Sequence, residues 1–183
     1  MTLRRTWKTI GTATYRAQGH PSGDGGEGDS AGGPIPSHDG RNAWPTLVIE
    51  AGDSKSLREL HNNMDWWFNT SNHDVKIVIL TKFNHSHSEI LLEKWEETLQ
   101  PVAGATTTRA ATAIGHMLTP ILRQSITITR NAATNPPSYN VAGGALVLSF
   151  RLLFLRDSDP TEGDIVYSVP DLQFYAERVW AQA

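Results

Sequence analysis

The sequence predicts an α/β domain with a mixed central β-sheet flanked by helices, and three consecutive stretches carry that expectation. WPTLVIEAG, Trp44 to Gly52, is apolar enough for a buried strand. SLRELHNNMDWWFN places its apolar residues at helical spacing, and HDVKIVILTKF has a β-branched core from Val75 to Leu80 that suits a central strand. Thr46–Ala51 and Val75–Thr81 are therefore expected as neighbours in one sheet, linked by a helix over Ser56–Asn69. If they run parallel, the crossover is right-handed.

In the first strand Thr46, Val48 and Glu50 share one face, and Leu47, Ile49 and Ala51 share the other. Glu50 is a lone acid in an apolar strand, costly to bury unless it is paired or holds a cation. A strand-end Glu that reaches solvent or an Arg is the plainer alternative. Ser54 or Ser56 caps the helix, with Glu59 placed to complete a capping box with Ser56. Leu57, Leu60, His61, Met64, Trp67 and Phe68 then fall on one face.

SEILLEKWEE reads as a further, more exposed strand, Thr107–Leu118 as a helix with Ile114 and Met117 inward, and Ser125–Arg130 as an alternating strand. NAATNPPSYN is a turn-rich connection, Ala145–Leu155 an apolar strand partnered across it, and Asp157–Gly163 a polar turn. SVPDLQFYAERVW closes as a short helix, with Pro170 in its first turn and Leu172, Val179, Trp180 and either Phe174 or Tyr175 on the sheet.

The organisation expected is a basic segment over 1–18, a Gly/Pro-rich mobile loop over 19–43 and one α/β domain over 44–183. A chain of 183 residues without cysteine buries a core unaided and offers no disulfide, thiolate or Cys-bound zinc. That favours an intracellular protein, cytoplasmic or nuclear. No run approaches the roughly 18–20 apolar residues of a membrane-spanning helix, so no membrane partner is expected. The net charge of −3 is poor for phosphate binding. Arg4, Arg5, Lys8 and Arg16 nevertheless stand in an acid-free start. They read as a solvated segment, a nucleic-acid-binding arm or a mitochondrial presequence. Six Trp and the apolar run ALVLSFRLLFL point to a homodimer that covers surplus apolar surface.

The segment WPTLVIEAGDSKSLRELHNNMDWWFNTSNHDVKIVIL resembles the core of the PD-(D/E)XK nuclease-like superfamily. It is most similar to a group of short fungal proteins and more distantly to bacterial Uma2-type restriction-endonuclease-like proteins. ALVLSFRLLFLRDSDPTEGDIVYSVPDLQFYAERVW resembles the fungal group's C-terminal half. The resemblance implies a restriction-endonuclease-like core. It also implies two carboxylates on adjacent strands that bind Mg²⁺ through oxygen, and a Lys that helps position the water activated by the cation. Carried over, Glu50 is the second acid and Asp29, in EGDSAGGP, the first; Asp24 and Asp39 are alternatives. Gly28 stands where the family has Pro, and Gly52 where it has the Lys, so Lys55 or Arg58 is the candidate substitute. Nothing before Asp24 supplies the acid that such domains carry on an initial helix, so the N-terminus reads as shortened.

His85 and His87, in NHSHS, share the face needed by a transition metal but lack a third ligand, and a solvated hairpin turn explains them as well. His61 reads as a core or boundary residue, and of the adjacent Trp66 and Trp67 one is core and the other a candidate ligand or dimer contact. No phosphate-cradling loop or nucleophile elbow is present. Three function classes follow: a metal-dependent nuclease with Asp29, Glu50 and Lys55 as its catalytic set, weak or inactive; a remnant that binds DNA or protein without cleavage; and a repurposed pocket that binds or acts on a small molecule.

Overall fold

The computed structural model describes residues 6–11, 14–16, 25–38, 40, 43–100 and 117–181. Arg4, Arg5, Asp24, Asp39 and the expected helix over 107–116 lie outside them. In chain order the strands of the first half are β1 (Trp7–Ile10), β2 (Thr14–Arg16), β3 (Gly25–Glu27), β4 (Ser30–Pro34) and β5 (Leu47–Gly52). Helix α1 (Leu57–Thr70) leads to β6 (Ile77–Asn84), β7 (Glu89–Gln100), β8 (Met117–Asn131) and β9 (Ser138–Ala142). The chain closes with β10 (Leu146–Leu148), α2 (Phe150–Phe154), β11 (Ile165–Tyr167) and α3 (Val169–Trp180).

Seven strands form one mixed sheet in the order β1-β4-β5-β6-β7-β8-β9, while β2–β3 and β10–β11 form two small antiparallel ladders. The β5–β6 pair is parallel and the other main-sheet pairs are antiparallel. The predicted β5–α1–β6 unit is therefore present, with Val48 opposite Val78 and Glu50 opposite Leu80. α1 starts at the Ser56–Glu59 capping box and lays Leu60, Met64, Trp67 and Phe68 on the sheet. Each of those side chains, fully buried, contributes about 1.5–3 kcal/mol of apolar transfer. Val48, Val75, Val78 and Leu80 receive them.

The opposite face packs Ile77, Ile79, Ile90, Leu92, Ile126 and Ile128 against α2, α3 and the β10–β11 ladder. Polar ties hold this layer in place. Thr46 Oγ1 donates to Leu153 O at 2.8 Å, Lys94 Nζ to Val147 O at 2.8 Å, and Gln173 Nε2 to Tyr139 O at 2.7 Å. Arg156 grips Glu162 through both terminal nitrogens, at 2.7 and 2.8 Å, and stacks 4.8 Å from the Phe150 ring centre. That closes the polar turn at Asp157–Gly163.

Several expectations are corrected. β7 is an interior strand, not an exposed one: Ile90, Leu92, Glu93 and Glu96 are buried between β6 and β8. Leu118, placed in a helix by the sequence reading, lies in β8, which runs well beyond Ser125–Arg130. The Ala145–Leu155 run is no single strand. It is β10, the extended cap residue Ser149 and α2, and β10 pairs with β11. The stretch read as a mobile loop contributes β3 and β4, and the N-terminal segment contributes β1, which pairs with β4 on the same sheet. Among the described residues no helix is long and apolar enough to cross a membrane.

Candidate functional site

The alternation of β5 turns Val48, Glu50 and Gly52 toward α1, and Glu50 ends up only 2% exposed. A carboxylate so placed needs donors, and α1 supplies two from positions one turn apart. Trp67 Nε1 donates to Glu50 Oε1 at 2.7 Å, and Asn63 Nδ2 donates to Oε2 at 3.2 Å. Lys55, in the turn before α1, brings Nζ to 3.5 Å from Oε2 with 44% of its side chain still exposed. The capping box fixes this turn: Ser56 Oγ accepts from Glu59 N at 3.2 Å, and Glu59 Oε2 accepts from Ser56 N at 2.6 Å. The Ser56 hydroxyl also donates to Glu59 Oε2 at 2.7 Å, and this bond, with that from Ser56 N, holds the Glu59 carboxyl below its ordinary pKa.

Asp29 lies just before β4. Ser30 pairs with Ile49, so continuing that ladder by one residue sets Asp29 opposite Glu50. Its carboxylate caps the end of β5 by accepting from Ala51 N at 2.7 Å. The pocket beside Glu50, about 450 Å³, is lined by Glu27, Lys55, Asn63, Trp66 and Trp67 among others, and not by Asp29. Among the described residues, the acid that shares the pocket with Glu50 is thus Glu27, on β3, whose Oε1 accepts from Thr14 Oγ1. A Cβ at Gly26 would collide with the Trp66 ring, so the β2–β3 hairpin rests directly on that indole.

Gly52 is buried under Leu60. A Cβ there would meet Leu60 Cδ1 at 3.0 Å and Cδ2 at 3.2 Å. A side chain at position 52 is therefore limited by helix packing, and among the described residues Lys55 is the cation that reaches Glu50. Arg58, the other candidate, is exposed on α1. Of the basic residues singled out, Lys8 is half-buried in β1 opposite Gly33, and Arg16 is exposed at the end of β2 opposite Gly25.

Sequence reasoning missed Trp67 and Asn63 as partners of Glu50, although their spacing of four residues on the helix puts them on one face. It also missed Glu93. This second buried acid accepts from Trp95 Nε1 at 2.9 Å and lies 2.7 Å from His61 Nε2. Leu80 stands between Glu50 and Glu93 in the register, so their backbones are about 10 Å apart at two strand spacings, and each acid has its own donors. His61 is thereby a boundary residue that ties α1 to β7. His85 lies in the β6–β7 turn, 2.8 Å from Asp53. Among the described residues no three His, Asp or Glu groups are arranged to hold a metal ion.

Mg²⁺ prefers six oxygens, usually one or two carboxylates with water and substrate phosphate. Glu50 offers roughly four lone-pair positions, and Trp67, Asn63 and Lys55 fill three of them. With Lys55 in place, the donor set fits a carboxylate neutralised by the protein itself, not a complete cation site. No family model matches the chain, and no curated protein matches it in sequence.

Proposed function

We propose that the chain is a degenerate PD-(D/E)XK nuclease-like protein. Asp29 and Glu50 stand opposite each other in the register, but Asp29 is engaged by Ala51 N, and phosphodiester hydrolysis is weak or absent. The observation that carries this reading is the ammonium of Lys55 at 3.5 Å from the buried Glu50 carboxylate, where a nuclease would have a divalent cation. In an active relative the cation polarises the phosphate and lowers the pKa of the attacking water. Here Lys55 supplies countercharge alone. Its contact is long and its side chain half-exposed, so it yields Glu50 to a competing cation at little cost.

The mixed sheet with an antiparallel β4–β5 pair followed by a parallel β5–β6 crossover is in keeping with this assignment. The test is cleavage of single- and double-stranded DNA with Mg²⁺ or Mn²⁺. At most trace cleavage is expected. Strong metal-dependent cleavage that Glu50→Gln abolishes would show instead an intact nuclease.

A further inference from the structure

We propose that the sheet face opposite α1 carries a second binding site, a cleft for one free, elongated apolar molecule with a single anionic head group. It is independent of the Glu50 pocket. The cleft measures about 520 Å³, within the roughly 300–1,000 Å³ of small-molecule sites. Its floor is the sheet itself, through Ile49, Ile79, Thr81 and Leu92. Helix α3 forms one wall, and β10 with Tyr167 of β11 forms another. A second apolar pocket of about 430 Å³, bounded by Trp7 and Phe154, shares Leu47, Leu148 and Tyr167 with it, so apolar space continues along the sheet.

Polar groups in this lining are few and point to the head group. Thr81 is 4% exposed and its hydroxyl makes no side-chain hydrogen bond among the described residues. Tyr175 is raised above its ordinary pKa by burial, so its phenol stays protonated and able to donate. Arg178 contacts the Phe174 ring at 4.8 Å and makes no ion pair among the described residues. Its full positive charge outweighs the roughly half-unit negative pole at the end of α3. Asp171, at the other end of the helix, is engaged by the N–H and hydroxyl of Ser168, which orients an anion toward Arg178.

The recess argues for a small molecule over a second copy of the chain. Ile79 and Leu92 are only 5% and 6% exposed, while Phe174 on the rim is 56% exposed. A flat protein face would cover the rim and leave the floor unfilled.

The test titrates submicellar dodecanoate, dodecanol and dodecyltrimethylammonium into the full chain by calorimetry. Dodecanoate is expected to bind once per chain. The alcohol is expected at least about tenfold weaker, the difference of one charge-assisted contact, and the cationic amphiphile not at all. Arg178→Gln, an exposed change that leaves the fold intact, should reduce dodecanoate to the level of the alcohol and leave the alcohol unchanged. Ile49→Trp should fill the floor and abolish both; if that variant fails to fold, Arg178→Gln alone carries the test. Equal affinity for acid and alcohol, binding only to phosphatidylserine vesicles, or a dimer in light scattering that persists with dodecanoate present would overturn the proposal.

Discussion

Replacing Glu50 by Gln preserves shape and exposes how the pocket is held together. All three partners of Glu50 are donors. A Gln presents one oxygen and one NH₂, so its NH₂ must face either the Trp67 indole or the Asn63 amide. The Trp67 bond is short and buried, and a hydrogen bond to a charged group is worth about 1.5–3 kcal/mol. The Asn63 bond, longer at 3.2 Å, adds about 1 kcal/mol. Lys55 is nearly half-exposed, so freeing it costs little because its ammonium rehydrates. The expected destabilisation is therefore about 2–4 kcal/mol. With a urea slope of about 2 kcal/mol/M, the midpoint falls by about 1–2 M. Trp67→Phe should lose part of the same energy, and the double variant should be non-additive because the two changes remove one shared bond. A Glu50→Gln midpoint within about 0.3 M of the parent, at unchanged slope, would refute the convergence of donors on this acid.

Gly52→Lys, which introduces the Lys of the proposed nuclease motif, is expected to destabilise by about 1–3 kcal/mol through overpacking against Leu60. It should also fail to create DNA cleavage; a stable, cleaving variant would show that the glycine alone silences the site. The acid limb of stability should depend on Glu162, whose carboxyl the Arg156 guanidinium holds down at about 2 from 4.5. The stabilisation is complete above 4.5 and is lost as pH falls toward 2, since the unfolded chain takes up the proton first. Glu162→Gln should flatten the fall of the urea midpoint over that range, and parallel profiles would contradict the pairing.

The β5–α1–β6 unit was legible because two local signals agree there: alternation in a β-branched run, and a capping box ahead of an amphipathic stretch. The run after Ala145 was not, because a continuous apolar stretch has no period that separates strand from helix. Phe150, Leu153 and Phe154 do stand at helical spacing, and Leu155 ends the turn in the left-handed region at φ 55°. β4 was hidden by its composition: SAGGP reads as loop, yet four of its residues are buried beside β1 and β5. β7 looked exposed because Glu93 and Glu96 read as solvent residues; in the fold each finds partners, His61 and Trp95 for the first, Lys94 and Arg123 for the second. Glu50 was conspicuous as a lone acid in an apolar strand, but its donors come from a helix, and no spacing along β5 announces them.

The most direct measurement of the central claim is thermal denaturation with and without saturating Mg²⁺ for the parent chain, Lys55→Ala and Glu50→Gln. If Lys55 is the resident counterion, the parent gains less than Lys55→Ala, by up to about 1 kcal/mol, because the cation must first displace the half-exposed ammonium. Lys55→Ala leaves Glu50 open to the cation and gains about 2.7 kcal/mol at a hundredfold excess over Kd, and Glu50→Gln gains nothing. Equal gains in the parent and Lys55→Ala, or any gain that survives Glu50→Gln, would contradict the assignment of Lys55 to the cation's place.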